Sequence, residues 1–74
     1  MPETRRGRVV AFDERRGLGE VEDADGGRLP FHCTAIADGT RRIAADTEVV
    51  FDVVAGPLGR TEADALRVDG APPR

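Results

Sequence analysis

At 74 residues the chain is long enough for one small domain and too short for a large catalytic cleft. Charged residues make up 34% and hydrophobic residues 39%, which excludes a disordered acidic peptide but leaves little apolar material beyond a minimal core. All 11 basic residues are arginine, set against 14 acidic ones for a formal net charge of −3, so any basic surface has to come from local clustering such as Arg5, Arg6, Arg8, Arg15 and Arg16.

In chain order, the polar start "MPETRRG" reads as a loose terminus, and the domain is expected from about residue 5 to 69 with residues 1–4 and 70–74 outside it. "GRVVAFD" from Gly7 to Asp13 is a first strand carrying Val9, Val10 and Phe12, ended by the polar "DERRG". A second strand follows in "GLGEVED" with Leu18 and Val21, and the "DADGG" cluster supplies glycines for a tight reversal. The third strand, "RLPFHC", puts Leu29, Phe31 and Cys33 on one face and Pro30 and His32 on the other. Pro30 has no N–H to give a ladder, so this strand belongs at an edge or a bulge.

"TAIADGTRRIAAD" reads as a short helical turn near Thr34 to Ile36 followed by a long loop. "TEVVFDVVAG" is the clearest strand, with Val49, Phe51 and Val53 inward and Glu48, Val50, Asp52 and Val54 outward. "GPLG" makes a turn with Pro57 where its fixed φ suits. Thr61 to Asp64 imitates a helix-capping pattern, but some eight residues make a marginal helix, and a fifth strand is expected instead. The expected core is Val9, Val21, Leu29, Phe31, Ile36, Ile43, Val49, Phe51 and Val53.

Three local patterns invite chemistry. Gly17 and Gly19 form a Gly-x-Gly without the lysine, third glycine or following helix of a phosphate loop, and read as glycines that let a twisted strand bend. His32 beside Cys33 would point to opposite faces of a strand, and no second His or Cys completes a metal site, so neither a nucleophile nor a metal centre is expected. The carboxylates Asp13 and Glu14, and Glu20, Glu22 and Asp23, read as solvated turns and strand faces rather than acid and base pairs. No enzyme activity and no cofactor is expected. With one cysteine, and no apolar run of the length of a signal peptide or membrane span, the expected setting is the reducing cytoplasm, with no membrane partner.

Five short strands with a long loop after the third suit an all-β, five-stranded antiparallel Greek-key barrel of the OB type. The letters carry more. "GRVVAFDERRGLGEVEDADGGRLPFHCTAI" resembles the first half of a bacterial cold-shock domain, and "VVFDVVAGPLG" resembles its fourth strand and following turn. That family's surface motifs are K-G-F-G-F-I and V-F-V-H-F, preceded by a strand ending in W-F. Here Arg16 to Val21 stands in the first motif, Leu29 to Cys33 in the second, and Ala11-Phe12 in place of W-F. Leu18, Glu20, Pro30 and Cys33 replace phenylalanines, Ala11 replaces the tryptophan, and Thr40 stands in the following loop where the family often has another ring. Phe12 and His32 are the matching rings that remain, and Phe31 falls on an inward motif position.

The resemblance implies sequence-tolerant binding of single-stranded RNA or DNA by base stacking. Each stacked base contributes about 1–3 kcal/mol, so losing three platforms weakens binding by roughly 3–9 kcal/mol if the terms add. Glu20 adds repulsion toward phosphates. The implied binding residues are Phe12, Arg16, Leu18, His32, Arg41 and Arg42, with the arginines, Arg15 and Arg28 included, packing on bases or meeting phosphates. Two functions from different classes follow: a single-strand binder of weakened or altered affinity, and a barrel that has lost this binding and serves as a structural or protein-interaction module through the flat face of Ala11, Leu18 and Pro30.

Overall fold

In the computed structural model, residues 3–37, 39, 42–56 and 59–69 are described. The turn at Pro57, with Thr40 and Arg41 of the long loop, lies outside them. The strands are β1 (Glu3–Asp13), β2 (Leu18–Asp23), β3 (Arg28–His32), β4 (Glu48–Ala55) and β5 (Thr61–Val68), with a 3-10 turn at Cys33–Ala35. All ladders between the strands are antiparallel, in the hydrogen-bonded order β3-β2-β1-β4-β5, and Ile36 adds a single parallel bridge to Leu66. β5 returns alongside β3, and the Ala37 N–H donates to the Leu66 carbonyl at 2.8 Å, closing the sheet into the expected five-stranded Greek-key barrel. β3 and β5 lie side by side without a hydrogen-bonded ladder among the described residues, so Pro30 leaves no ladder partner unmet there. No described helix is long and apolar enough to cross a membrane.

β1 begins at Glu3, earlier than its apolar run suggests. Glu3 and Thr4, expected outside the domain, pair with Val53 and Asp52 of β4, as do Arg5 and Arg6 with Phe51 and Val50, and the Thr4 hydroxyl donates to Asp52 at 2.9 Å. Backbone pairing with a strong apolar strand recruits a polar segment that has no β pattern of its own.

Seven of the nine expected core residues are buried: Val9, Val21, Leu29, Phe31, Ile36, Val49 and Phe51. Ile43 and Val53 are only half-buried and pack against that cluster. Ala35, Ala63 and Leu66 complete the core and were not expected there. The reason for the last two is a bulge. Between the pairs Val50–Arg67 and Asp52–Asp64, β5 has two residues where β4 has one, and Ala65 adopts φ 50° to accommodate the extra residue. Inward positions on β5 are therefore three apart, a helical spacing inside a strand.

Asp23 also departs from expectation. It is not solvated but 7% exposed, and it organises the β2–β3 turn. Its carboxylate accepts the N–H groups of Gly27 and Asp25, each at 2.9 Å, and the Arg5 guanidinium at 2.7 Å. Gly26, at φ 86°, provides the left-handed residue of the turn. The Gly27 N–H, together with Arg5 and the Asp25 N–H, holds the Asp23 carboxyl below its ordinary value against the opposing effect of burial.

Because the folded state has the lower pKa, this stabilisation is complete above the unfolded value of about 4 and disappears as pH falls through the folded pKa. Urea unfolding followed by circular dichroism is expected to show Asp23→Asn less stable than wild type at pH 7. The difference should shrink toward pH 3, and an unchanged difference would contradict the assignment.

Candidate nucleic-acid interface

The β1–β2–β3 sheet sorts its residues into alternating rows. Phe12–Gly19–Phe31 and Val9–Val21–Leu29 run across the three strands facing inward. Between and beside them lie three outward rows: Asp13–Leu18–His32, Ala11–Glu20–Pro30 and Arg8–Glu22–Arg28. A bulge at Val10, which has no partner between the pairs Val9–Val21 and Ala11–Glu20, resets the alternation so that Ala11 faces out and Phe12 in.

Gly19 is required by this arrangement. A Cβ built on it would collide with the Phe31 ring and lie 2.9 Å from the Ala11 carbonyl oxygen. Gly17 has φ 66°, and its Cβ would come 2.8 Å from Cys33 Sγ. Both act as bending and close-approach glycines, as their sequence context indicates.

Leu18, Arg16 and His32 come together at one end of the outward face. Leu18 is 49% exposed and directly opposite His32. His32 caps the 3-10 turn: its Nδ1 accepts the Thr34 N–H at 3.2 Å and lies 2.9 Å from the Thr34 hydroxyl. In the neutral ring this places the proton on Nε2 and fixes the ring's orientation. The strand ends at His32, so Cys33 does not continue the alternation, and its Sγ approaches Nδ1 to 3.8 Å. That overturns the expectation that ring and thiol point apart, although the Nδ1 lone pair is already directed to Thr34.

Phe12 lies elsewhere. Counted in the sequence with His32 as a ring of the binding face, it sits in the inward row, half-buried, parallel to Phe31 (3° between planes, centroids 5.8 Å apart). Its remaining surface lines an open hollow with Glu14, Arg42, Ile43 and Ala44. The structure thus brings Phe12 together with Arg42 and sets Leu18 opposite His32, with Arg16 in the adjoining turn paired to Asp13, while Arg41 lies outside the described residues.

The charges on the face are largely matched. Arg28 lies 3.3 Å from both Glu20 and Glu22, Arg8 is 3.9 Å from Glu22, and Arg16 is 4.0 Å from Asp13. Asp13 also accepts the N–H groups of Arg15 and Arg16 at 3.0 and 3.2 Å, which ties its carboxylate to the β1–β2 turn. Arg15, at that turn, has no ion pair among the described residues. Glu14, read in the sequence as a solvated turn carboxylate, forms a salt bridge to Arg42 at 3.1 Å that joins segments far apart in the chain.

A closed five-stranded Greek-key barrel with glycine-framed motifs on its first three strands defines the class of the molecule. No protein-family model matches the chain. It is 33% identical over 63 residues to the cold shock-like protein CspC of Bacillus cereus, covering 84% of this chain and 97% of that protein. It is also 39% identical over 71 residues to cold shock domain-containing protein 4 of Arabidopsis thaliana, covering 92% of this chain. The chain spans about a third, 35%, of the length of the Arabidopsis protein. The chain belongs to the cold-shock domain family.

Gly19→Ala is expected to lower stability by about 1–3 kcal/mol, the usual cost of overpacking, because the added methyl meets both a buried ring and a backbone carbonyl. A shift in the urea midpoint checks this, and an unchanged midpoint would mean that Phe31 does not lie over Gly19.

Proposed function

We propose that this barrel binds single-stranded RNA or DNA on the outward rows of β1–β3, without enzymatic chemistry, in the reducing cytoplasm and with reduced affinity. The ligand class follows from family membership together with the retained motif frame. The observation that carries the reading is the Leu18–His32 pair: an exposed aliphatic group beside an imidazole oriented by Thr34, at the end of the face where Arg15 and Arg16 cluster. A base stacks on the imidazole and packs on Leu18, while the turn arginines meet phosphates.

Reduced affinity has two physical sources. Ala11, Leu18, Glu20 and Pro30 offer no aromatic plane, and each missing stack removes about 1–3 kcal/mol. In addition, phosphates approaching Arg8, Arg16 or Arg28 compete with carboxylates already beside those guanidiniums. Such exposed pairs are weak, so they reduce the gain from a phosphate contact without abolishing it.

Titration of labelled mixed-sequence RNA and DNA single strands at low and moderate salt tests the proposal. Binding is expected to saturate at low salt, to weaken as salt rises, and to weaken roughly tenfold with His32→Ala. Restoring planes with Ala11→Trp and Glu20→Phe is expected to tighten binding by roughly tenfold each. Absence of saturable binding to either nucleic acid at low salt would reject the proposal and favour a protein-interaction role for the Ala11–Leu18–Pro30 surface.

A further inference from the structure

The hollow beside the end of β1 differs in kind from the outward rows. Its apolar part comes from the uncovered surface of Phe12 and from Ile43, both packed against the core, and the small side chain of Ala44 leaves space next to them. Its polar part is the Glu14–Arg42 pair, whose side chains are 62% and 79% exposed. An aromatic surface held parallel to a core ring, with a carboxylate at its rim, has the two components needed to hold a flat heterocycle and read its edge.

From this geometry we infer that the Phe12–Glu14–Arg42 hollow is a guanine-selective subsite for one base of a bound single strand. The inference rests on the single-strand reading proposed above. An ionised carboxylate only accepts hydrogen bonds, and its two oxygens match two neighbouring N–H donors. On its Watson–Crick edge guanine presents such a set, N1–H beside the N2 amino group. Adenine and cytosine each place a ring-nitrogen acceptor beside their amino group, and thymine or uracil places one N–H between two carbonyls. Against Glu14, each of these leaves an acceptor facing a carboxylate oxygen, an unfavourable contact that guanine avoids.

The Glu14–Arg42 salt bridge does not oppose this strongly, because a solvent-exposed pair contributes little and exchanges readily. Opening it turns the Glu14 carboxylate toward the base. The hollow also lies on the course of a strand bound to the outward face. Glu14 directly follows Asp13, which shares a row with Leu18 and His32, so a base in the hollow lies next to bases on that row. Glu14 is therefore a specificity-determining residue, while Leu18 and His32 bind without preference.

The test uses fluorescein-labelled DNA octamers TTTTTTTT, TTGTTGTT and TTATTATT in anisotropy titrations at low salt, with the full chain and with Glu14→Ala. Glu14 is exposed, so the substitution is expected to leave the barrel folded, which a circular-dichroism spectrum matching wild type checks. Wild type is expected to bind TTGTTGTT on the order of tenfold more tightly than the other two, the usual effect of one bidentate base contact. Glu14→Ala is expected to remove that preference while binding the all-thymine strand at least as well, since a carboxylate near phosphates has been removed. Equal binding of wild type to all three strands, or a guanine preference that survives Glu14→Ala, would overturn the inference and leave single-strand binding standing. Failure of all three DNA strands and of their RNA counterparts to bind would reject both.

Discussion

The passage of β2 beneath the Phe31 ring is the constraint on which the rest of the barrel depends. Gly19 lets the end of the ring approach the backbone closely, and the ring in turn fills the interior and runs parallel to Phe12. A chain with three phenylalanines and no tyrosine or tryptophan has few ways to fill a barrel, and all three are used inside or at its mouth. The outer face is then left to the remaining residue types. The loss of rings outside and their retention inside are two aspects of one limited supply of large side chains.

Electrostatics follows the same economy. Seven arginines of the described region face at least one carboxylate within 4.0 Å, among them Arg5, Arg8, Arg16, Arg28 and Arg42. The surface is therefore charged but locally compensated, in keeping with the net charge of −3. Long-range attraction of a polyanion is weak under these conditions, so the proposed recognition rests on short-range contact: an oriented imidazole, an aliphatic neighbour, and a hollow with an acidic rim. This favours discrimination among bases over tight indiscriminate binding.

Much of the fold is legible in the sequence because alternation and turn chemistry coincide in β2, β3 and β4, where Val21, Leu29, Phe31, Val49 and Phe51 are inward as their spacing indicates. The errors arise where one extra residue shifts the pattern. At Val10 the bulge turns Phe12 from an expected surface ring into an inward one, and at Ala65 it gives Ala63 and Leu66 a helical spacing within a strand. The candidate site is legible only in its frame. Leu18 and His32 can be placed from their motifs, whereas the Glu14–Arg42 pair and the burial of Asp23 depend on contacts between distant segments that no local pattern encodes.

β1 pairs with β4 through Glu3 to Arg8 and with β2 through Gly7 to Asp13, so the two partnerships overlap only at Gly7 and Arg8. At that crossing a Cβ on Gly7 would collide with the Glu22 carbonyl, which keeps the strands in close contact where β1 passes from one partner to the other. The barrel is thus two hairpins fastened to opposite ends of one strand, meeting again along the β3–β5 seam. Mechanically, β1 acts as an axle: neither hairpin can swing open on the β1 side without loosening the strand that positions the other. Any load applied to the β1–β3 half is therefore carried through β1 into the β4–β5 half as well.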